Sequence, residues 1–168
     1  MNPIFKRVSI RKYQDKPVPE ASVEMLLKAA LQAPSARNQQ AWRFIAIDSR
    51  EILDKLVSVA PGAKPLKEAD GAIVTVGINR GATCPQFIPV DLAAATQNIL
   101  LQAVVEDLGA VWIGIYPEQE RMAALAEILR LEDYEFPFSI VAFGYQAEYP
   151  QVQDRWDVSK VSFISEKD

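Results

Sequence analysis

Apolar positions along the chain fall into helical stripes and short runs, separated by breaks rich in polar residues, proline and glycine. Val23, Leu26, Leu27, Ala30 and Leu31 recur at helical spacing and predict a helix over about 20–33. Pro19 suits its first turn, and Ala33-Pro34-Ser35 ends it, because proline disfavours helix in the residue before it. A polar loop from Ser35 to Gln40 leads into a strand around 43–47. Asp48 and Glu51 then have the spacing of a capping box ahead of a helix carrying Ile52, Leu53 and Leu56. Residues 72–78 read as a buried strand. After a loop from Asn79 to Val90, Asp91 is expected to open a long helix that runs to about Leu108, where Gly109 stops it. Strand 110–115, helix 118–130 and strand 138–144 complete the predicted core, while residues 3–16 are basic and expected to be extended.

Two segments are too apolar for a free surface. The helix from Asp91 is apolar around most of its circumference, with Asp91, Asn98, Gln102 and Glu106 forming a narrow polar stripe. Such a helix is covered on nearly all sides, which in a small chain points to a second subunit as part of the cover. The tail from Gln146 to Asp168 lacks a regular pattern yet carries Tyr149, Trp156 and Phe163, a density of aromatics expected of a docking segment. The alternation of helices and strands is compatible with a doubly wound α/β fold. However, Gly71, Gly77 and Gly81 do not form a dinucleotide fingerprint, and there is no phosphate-cradling Walker loop.

Composition narrows the chemistry. The 168 residues, 49% hydrophobic and 24% charged, suit one globular domain, 1–168. A net charge of −4 gives no general attraction to nucleic acid. The single cysteine, Cys84, cannot close an intramolecular disulfide and fits a reducing compartment. Histidine is absent, which excludes histidine-dependent triads and metal sites, so no metal is expected. Any chemistry must use another acid or a cofactor that carries the reaction itself. Residues 1–12 show no apolar run of the signal-peptide kind, and no stretch is read as long and apolar enough to span a bilayer. The cytoplasm, with no membrane contact, is the expected location.

Three groups of residues could carry function. In Arg7-Val8-Ser9-Ile10-Arg11, an extended backbone would turn Arg7, Ser9 and Arg11 to one side, with Lys6, Lys12 and Lys16 nearby. Guanidinium matches phosphate in two-point fashion, so this island reads as an anion site or, equally, as a solvated basic arm. The loop 33–42 offers Ser35, Asn38, Gln39 and Gln40, neutral groups that suit a heteroaromatic edge or simply cap a helix end. In Gly109–Ile115, Gly114 interrupts a strand, which often marks close approach of a ligand, while Trp112 reads as core.

Taken together, Arg-x-Ser-x-Arg, then Ala-Pro-Ser-Ala-x-Asn-x-Gln-x-Trp, a long Asp-initiated helix ending in Leu-Gly, Trp-Ile-Gly, and Asp154-Arg155-Trp156-Asp157 before Lys160-Val161 resemble the nitroreductase family. The resemblance spans nearly the whole chain in order. It implies an α+β fold, a central mixed sheet flanked by helices, and an intertwined homodimer with two FMN sites at the interface. It also implies that Arg7, Ser9 and Arg11 hold the flavin phosphate and pyrimidine edge. Pro34, Ser35, Asn38 and Gln40 would reach the flavin from the partner subunit. Ile113 and Gly114 would supply backbone near the ring, Arg155 a late basic group near the phosphate, and Lys64 a cation near the ring's N1. Ala41 stands where the family usually has proline, and the short middle of the chain leaves little for a substrate lid, with the Asn79–Val90 loop, carrying Arg80, Cys84 and Phe87, as its expected substitute.

The activity implied is two half-reactions: NADH or NADPH reduces the flavin, then a small acceptor such as a nitro compound or quinone is reduced in the same slot. FMN carries the chemistry and no side chain need act as acid or base. A flavin carrier, a redox-sensing dimer and a flavin-free nucleotide-binding dimer are the competing expectations.

Overall fold

The computed structural model describes residues 2–165. The chain opens on α1 (Pro3–Lys6), a single helical turn. An extended arm was expected there. Pro3 sits in its first turn and the Asn2 side chain accepts the Ile4 N–H at 3.0 Å, a local cap that hydrophobic periodicity does not register. Beyond Arg7 the segment does extend. Ser9 pairs in parallel with Ala110, and Tyr13 pairs antiparallel with Gln146.

The remaining elements run α2 (Glu20–Leu31), a 3₁₀ turn at Ala36–Asn38, β1 (Trp42–Ile47), α3 (Arg50–Leu56) and a 3₁₀ segment at Pro61–Lys67. There follow β2 (Gly71–Ile78), a 3₁₀ turn at Pro85–Phe87, α4 (Ile88–Val105), β3 (Gly109–Gly114), α5 (Gln119–Leu129), β4 (Glu135–Gly144) and a 3₁₀ turn at Val158–Lys160. The capping box expected at Asp48 and Glu51 does not form. Ser49 occupies the N-cap of α3 without a side-chain bond, and Glu51 instead accepts from Lys55 at 2.7 Å.

The sheet order is β1-β2-β4-β3, and every ladder between these strands is antiparallel. The doubly wound alternative is therefore wrong, since that architecture needs parallel neighbours joined by crossovers. The fold is α+β, and its parallel component is the Ser9–Ala110 bridge.

Alternation along the strands builds two cores. Val111, Ile113 and Ile115 face α3, α5 and the Pro61–Lys67 segment, while Ala110 and Trp112 face α2 and α4. With both faces covered, the strands read as continuous apolar runs rather than alternating ones, which is why 72–78 looks uniformly buried. A bulge interrupts the β2–β4 ladder between Thr75 and Val76. The hydroxyls of Thr75 and Ser139 meet there at 2.9 Å, and Thr96 of α4 lies 3.2 Å from Ser139 while donating to the Leu92 carbonyl at 2.7 Å. This buried polar knot fixes α4 on the sheet.

Helix α4 starts three residues before Asp91, which falls inside its first turn. Pro89 is tolerated there because a first-turn N–H has no intrahelical acceptor. By length and composition, Pro85–Val105 could cross a membrane, so the expectation that no stretch is long and apolar enough is corrected. Leu92, Ala95, Ile99 and Ala103 of this helix are fully buried against the sheet and α2, while Val90 and Val105 are exposed.

Candidate functional site

The basic island sits at the Gly109 end of β3. Ile10 is buried and its N–H donates to the Ala110 carbonyl at 3.0 Å, which aligns Ser9 with the strand. Tyr13 anchors the segment, its buried hydroxyl donating to the Ile10 carbonyl at 2.7 Å with the Ala142 carbonyl at 3.2 Å. Burial first, then the nearby Glu148 carboxylate, pushes the Tyr13 phenol far above its ordinary pKa, against the opposing pull of Arg11. The Arg11 N–H donates to Glu148 at 2.6 Å. Arg7 is half-buried and Arg11 exposed, and neither guanidinium is in an ion pair among the described residues.

The polar loop lies against the first turn of α4. The Asp91 carboxylate accepts the Ala36 N–H at 3.0 Å and the Gln39 carboxamide at 2.8 Å. Gln39 also accepts the Cys84 N–H at 3.0 Å and donates to the Cys84 carbonyl at 3.1 Å. Ser35 Oγ accepts the Gln40 N–H at 3.0 Å. Arg37, Asn38 and Gln40 have φ of 51°, 52° and 46°, three left-handed non-glycine residues in one short stretch. Such backbone costs free energy and persists only where surrounding bonds hold it. The structure thus splits the loop's amides between two jobs. Gln39 is spent on positioning, whereas the carboxamides of Asn38 and Gln40 are exposed and bond no side chain or backbone of the described residues. Pro34 is exposed at the start of the same loop.

At the far end of β3, Gly114 is exposed although the rest of the strand is buried or half-buried. A Cβ built there would meet no atom within 4 Å. Its carbonyl accepts from Arg121 of α5 at 3.2 Å, and the next N–H, of Ile115, donates to the Phe138 carbonyl at 3.3 Å. The peptide plane is therefore held from both sides. Ile113 itself is 2% exposed and belongs to the core, so it can offer backbone only. Lys64 is exposed and shares a cleft with Arg121.

Within one chain, then, Arg7, Ser9 and Arg11 gather at one end of β3 and Lys64 with Gly114 at the other. The Pro34–Gln40 loop lies on the α4 side, apart from both. Arg155 stands exposed in a tail whose Tyr149, Trp156 and Phe163 are 78%, 70% and 87% exposed. Sequence reasoning missed Gln39 as a positioning group, took Asp91 for a helix cap, and overlooked Arg121. An acid in an otherwise apolar helix was the available signal for Asp91, but its partners lie more than fifty positions away.

Comparison with known proteins bears on the family and the fold. The family model described as "Nitroreductase family" matches residues 4–76 and 66–145. A protein of Methanothermobacter thermautotrophicus with the provisional name NADH dehydrogenase/NAD(P)H nitroreductase is 38% identical over 94% of this chain and 83% of its own. A crystal structure from Clostridium acetobutylicum, provisionally named an NADH oxidase, is 40% identical with a TM-score of 0.93, covering 97% of this chain and 99% of that one. A structure named FMN-dependent nitroreductase, from Clostridium difficile, superposes with a TM-score of 0.91 at 29% identity, covering 98% of each chain. With the ordered motifs, the antiparallel α+β sheet and these matches in agreement, the chain belongs to the nitroreductase family.

Proposed function

We propose that this chain is a cytoplasmic, single-domain (1–168), FMN-dependent oxidoreductase that works as a homodimer and passes reducing equivalents from NAD(P)H to a small acceptor such as a nitro compound or quinone. The observation that carries the reading is Gly114, an open, rigidly held peptide at the end of an otherwise covered strand. It offers a flat approach for a planar ring. Residues at the other end of β3 and in the loop against α4 fit FMN as well. Among the described residues, Arg7 and Arg11 offer guanidiniums outside any ion pair for a phosphate, and Asn38 and Gln40 offer unbonded carboxamides for a heteroaromatic edge. A relative from Bacillus subtilis named FMN reductase and the FMN-dependent structural neighbour support the same cofactor.

When bound, FMN supplies the two-electron redox chemistry. The chain's own residues bind and orient. Arg7, Ser9 and Arg11 hold the phosphate and pyrimidine edge, with Arg155 of the tail adding charge. Pro34, Ser35, Asn38 and Gln40 of a second copy close the site from the other side. The backbone of Ile113 and Gly114 would supply the surface on which the ring packs. Lys64 would add a cation near the bound flavin and so favour its reduced form. A chain without histidine needs no side-chain acid or base for this work.

Dimerisation is supported by the exposed aromatic tail and by the exposed Val90 and Val105 on α4. Denaturing the purified protein should release FMN, identified by mass, at one per chain, and steady-state assays should show NAD(P)H oxidation dependent on a quinone or nitroarene. Release of FAD or of no flavin after reconstitution overturns the cofactor. Bound FMN without turnover would mark a flavin carrier or sensor instead.

A further inference from the structure

A cleft of about 930 Å³ opens between the Pro61–Lys67 segment and the first turn of α5, and its Arg121 reaches the Gly114 carbonyl. Lys64, Lys67 and Arg121 line it, together with Glu118 and Glu120. None of the three cations is in an ion pair among the described residues, although two carboxylates share the cleft. Arg121 uses one N–H on the Gly114 carbonyl, and its guanidinium carries further donors.

We propose that this cleft binds the phosphates of the nicotinamide dinucleotide, with Lys67 and Arg121 as recognition residues. The inference rests on the preceding functional reading and deepens it. FMN has one phosphate. The Arg7–Ser9–Arg11 island that matches it is aligned on Ala110, four residues from Gly114 along β3, or about 13 Å at roughly 3.3 Å per residue. One phosphate does not serve both cation groups, so the second group is left free to take a second anion. NADH brings a pyrophosphate and NADPH a further phosphate on the ribose. The mixed lining also suits a nucleotide better than a bare anion, because phosphates pair with Lys67 and Arg121 while ribose hydroxyls donate to Glu118 and Glu120. The volume lies at the upper end of ordinary small-ligand sites. Contact between Arg121 and the Gly114 carbonyl places this anion site next to the peptide that faces the ring.

The test compares three hydride donors on the FMN-loaded dimer: NADPH, NADH and N-benzyl-1,4-dihydronicotinamide, which has no phosphate. Lys67→Glu should raise KM for NADPH about tenfold or more, as expected for losing a charge-assisted phosphate contact. Arg121→Gln, which keeps a donor for the Gly114 carbonyl, should do the same. Oxidation of the benzyl donor by Lys67→Glu, and its flavin content, should stay at the level of the unaltered protein. Equilibrium dialysis against NADP⁺ should show the matching loss of affinity without turnover. An unchanged KM and NADP⁺ affinity in both variants overturns the inference alone. An equal loss with the benzyl donor does so too, since the defect then lies in the flavin site. Failure of the unaltered protein to oxidise any of the three donors overturns the functional reading, and this inference with it.

Discussion

The Gln39 carboxamide donates to the Asp91 carboxylate at 2.8 Å, while the same side chain forms a reciprocal pair with the backbone of Cys84. One glutamine thereby ties the loop that ends α2 to the turn that starts α4. The left-handed backbone at Arg37, Asn38 and Gln40 is held by these bonds. Gln39→Ala leaves the buried Asp91 with one partner fewer and should cost about 1–3 kcal/mol of stability. It should also weaken FMN binding, because Asn38 and Gln40 lose their fixed orientation. Thermal unfolding and flavin titration read the two effects. A destabilised variant with unaltered flavin affinity would separate this loop from the site.

Gly77 and Gly114 give opposite expectations for the same substitution. A Cβ at Gly77 would collide with the Phe136 ring and stand 2.8 Å from Ile88 Cγ2. Gly77→Ala should therefore destabilise the fold by about 1–3 kcal/mol, the usual cost of overpacking. A Cβ at Gly114 meets nothing within 4 Å. Gly114→Leu should fold normally by circular dichroism yet bind FMN poorly if the ring lies over this peptide, since the side chain would then take its space. Native flavin affinity in Gly114→Leu would place the ring elsewhere.

Arg7→Ala and Arg11→Ala should each weaken FMN binding about tenfold or more with the fold retained. Unchanged affinity in both variants would mean that the segment is only a solvated basic arm. Flavin fluorescence titration decides between these outcomes.

Arg43 and Glu135 join β1 to β4 across β2 through a two-point contact, its Nη2–Oε2 arm at 2.9 Å. The Glu135 side chain is 5% exposed. Its bond to Arg43 holds its carboxyl below the ordinary carboxylate range. A lowered folded-state pKa adds stability above the ordinary carboxylate value, and that contribution is lost as pH falls through the folded value. Glu135→Gln should accordingly lower stability by about 1–2 kcal/mol at neutral pH, discounted for the half-exposed arginine. The difference between variant and parent should shrink in acid. A gap that persists at low pH would show that ionisation of Glu135 is not its source.

Much of this architecture was legible from periodicity. The helix near 20–33, the strand near 72–78 and the strand near 110–115 all form within a few positions of their expected limits, because each buries a continuous apolar stripe or run. The start of α4 was misplaced because Asp91, a good helix cap by type, spends its carboxylate on distant partners. Strand pairing was illegible, since element order does not say which strands meet, and only the antiparallel ladders exclude the doubly wound arrangement. Residues of the candidate site were legible as motifs but not as a place. Arg7 and Gly114 lie at opposite ends of β3, while Asn38 lies toward α4. No periodicity signal reports how such pieces come together.

Shared sites are the central claim, and a mixed dimer tests it most directly. Co-expressing Arg7→Ala chains with Asn38→Ala chains puts both defects into one site of the heterodimer and leaves the other site intact if each flavin is held between two copies. Flavin titration of the isolated heterodimer should then find one FMN bound with the affinity of the unaltered protein and one bound weakly. Two equally weakened sites would show instead that each flavin is held within a single chain, and would contradict the account.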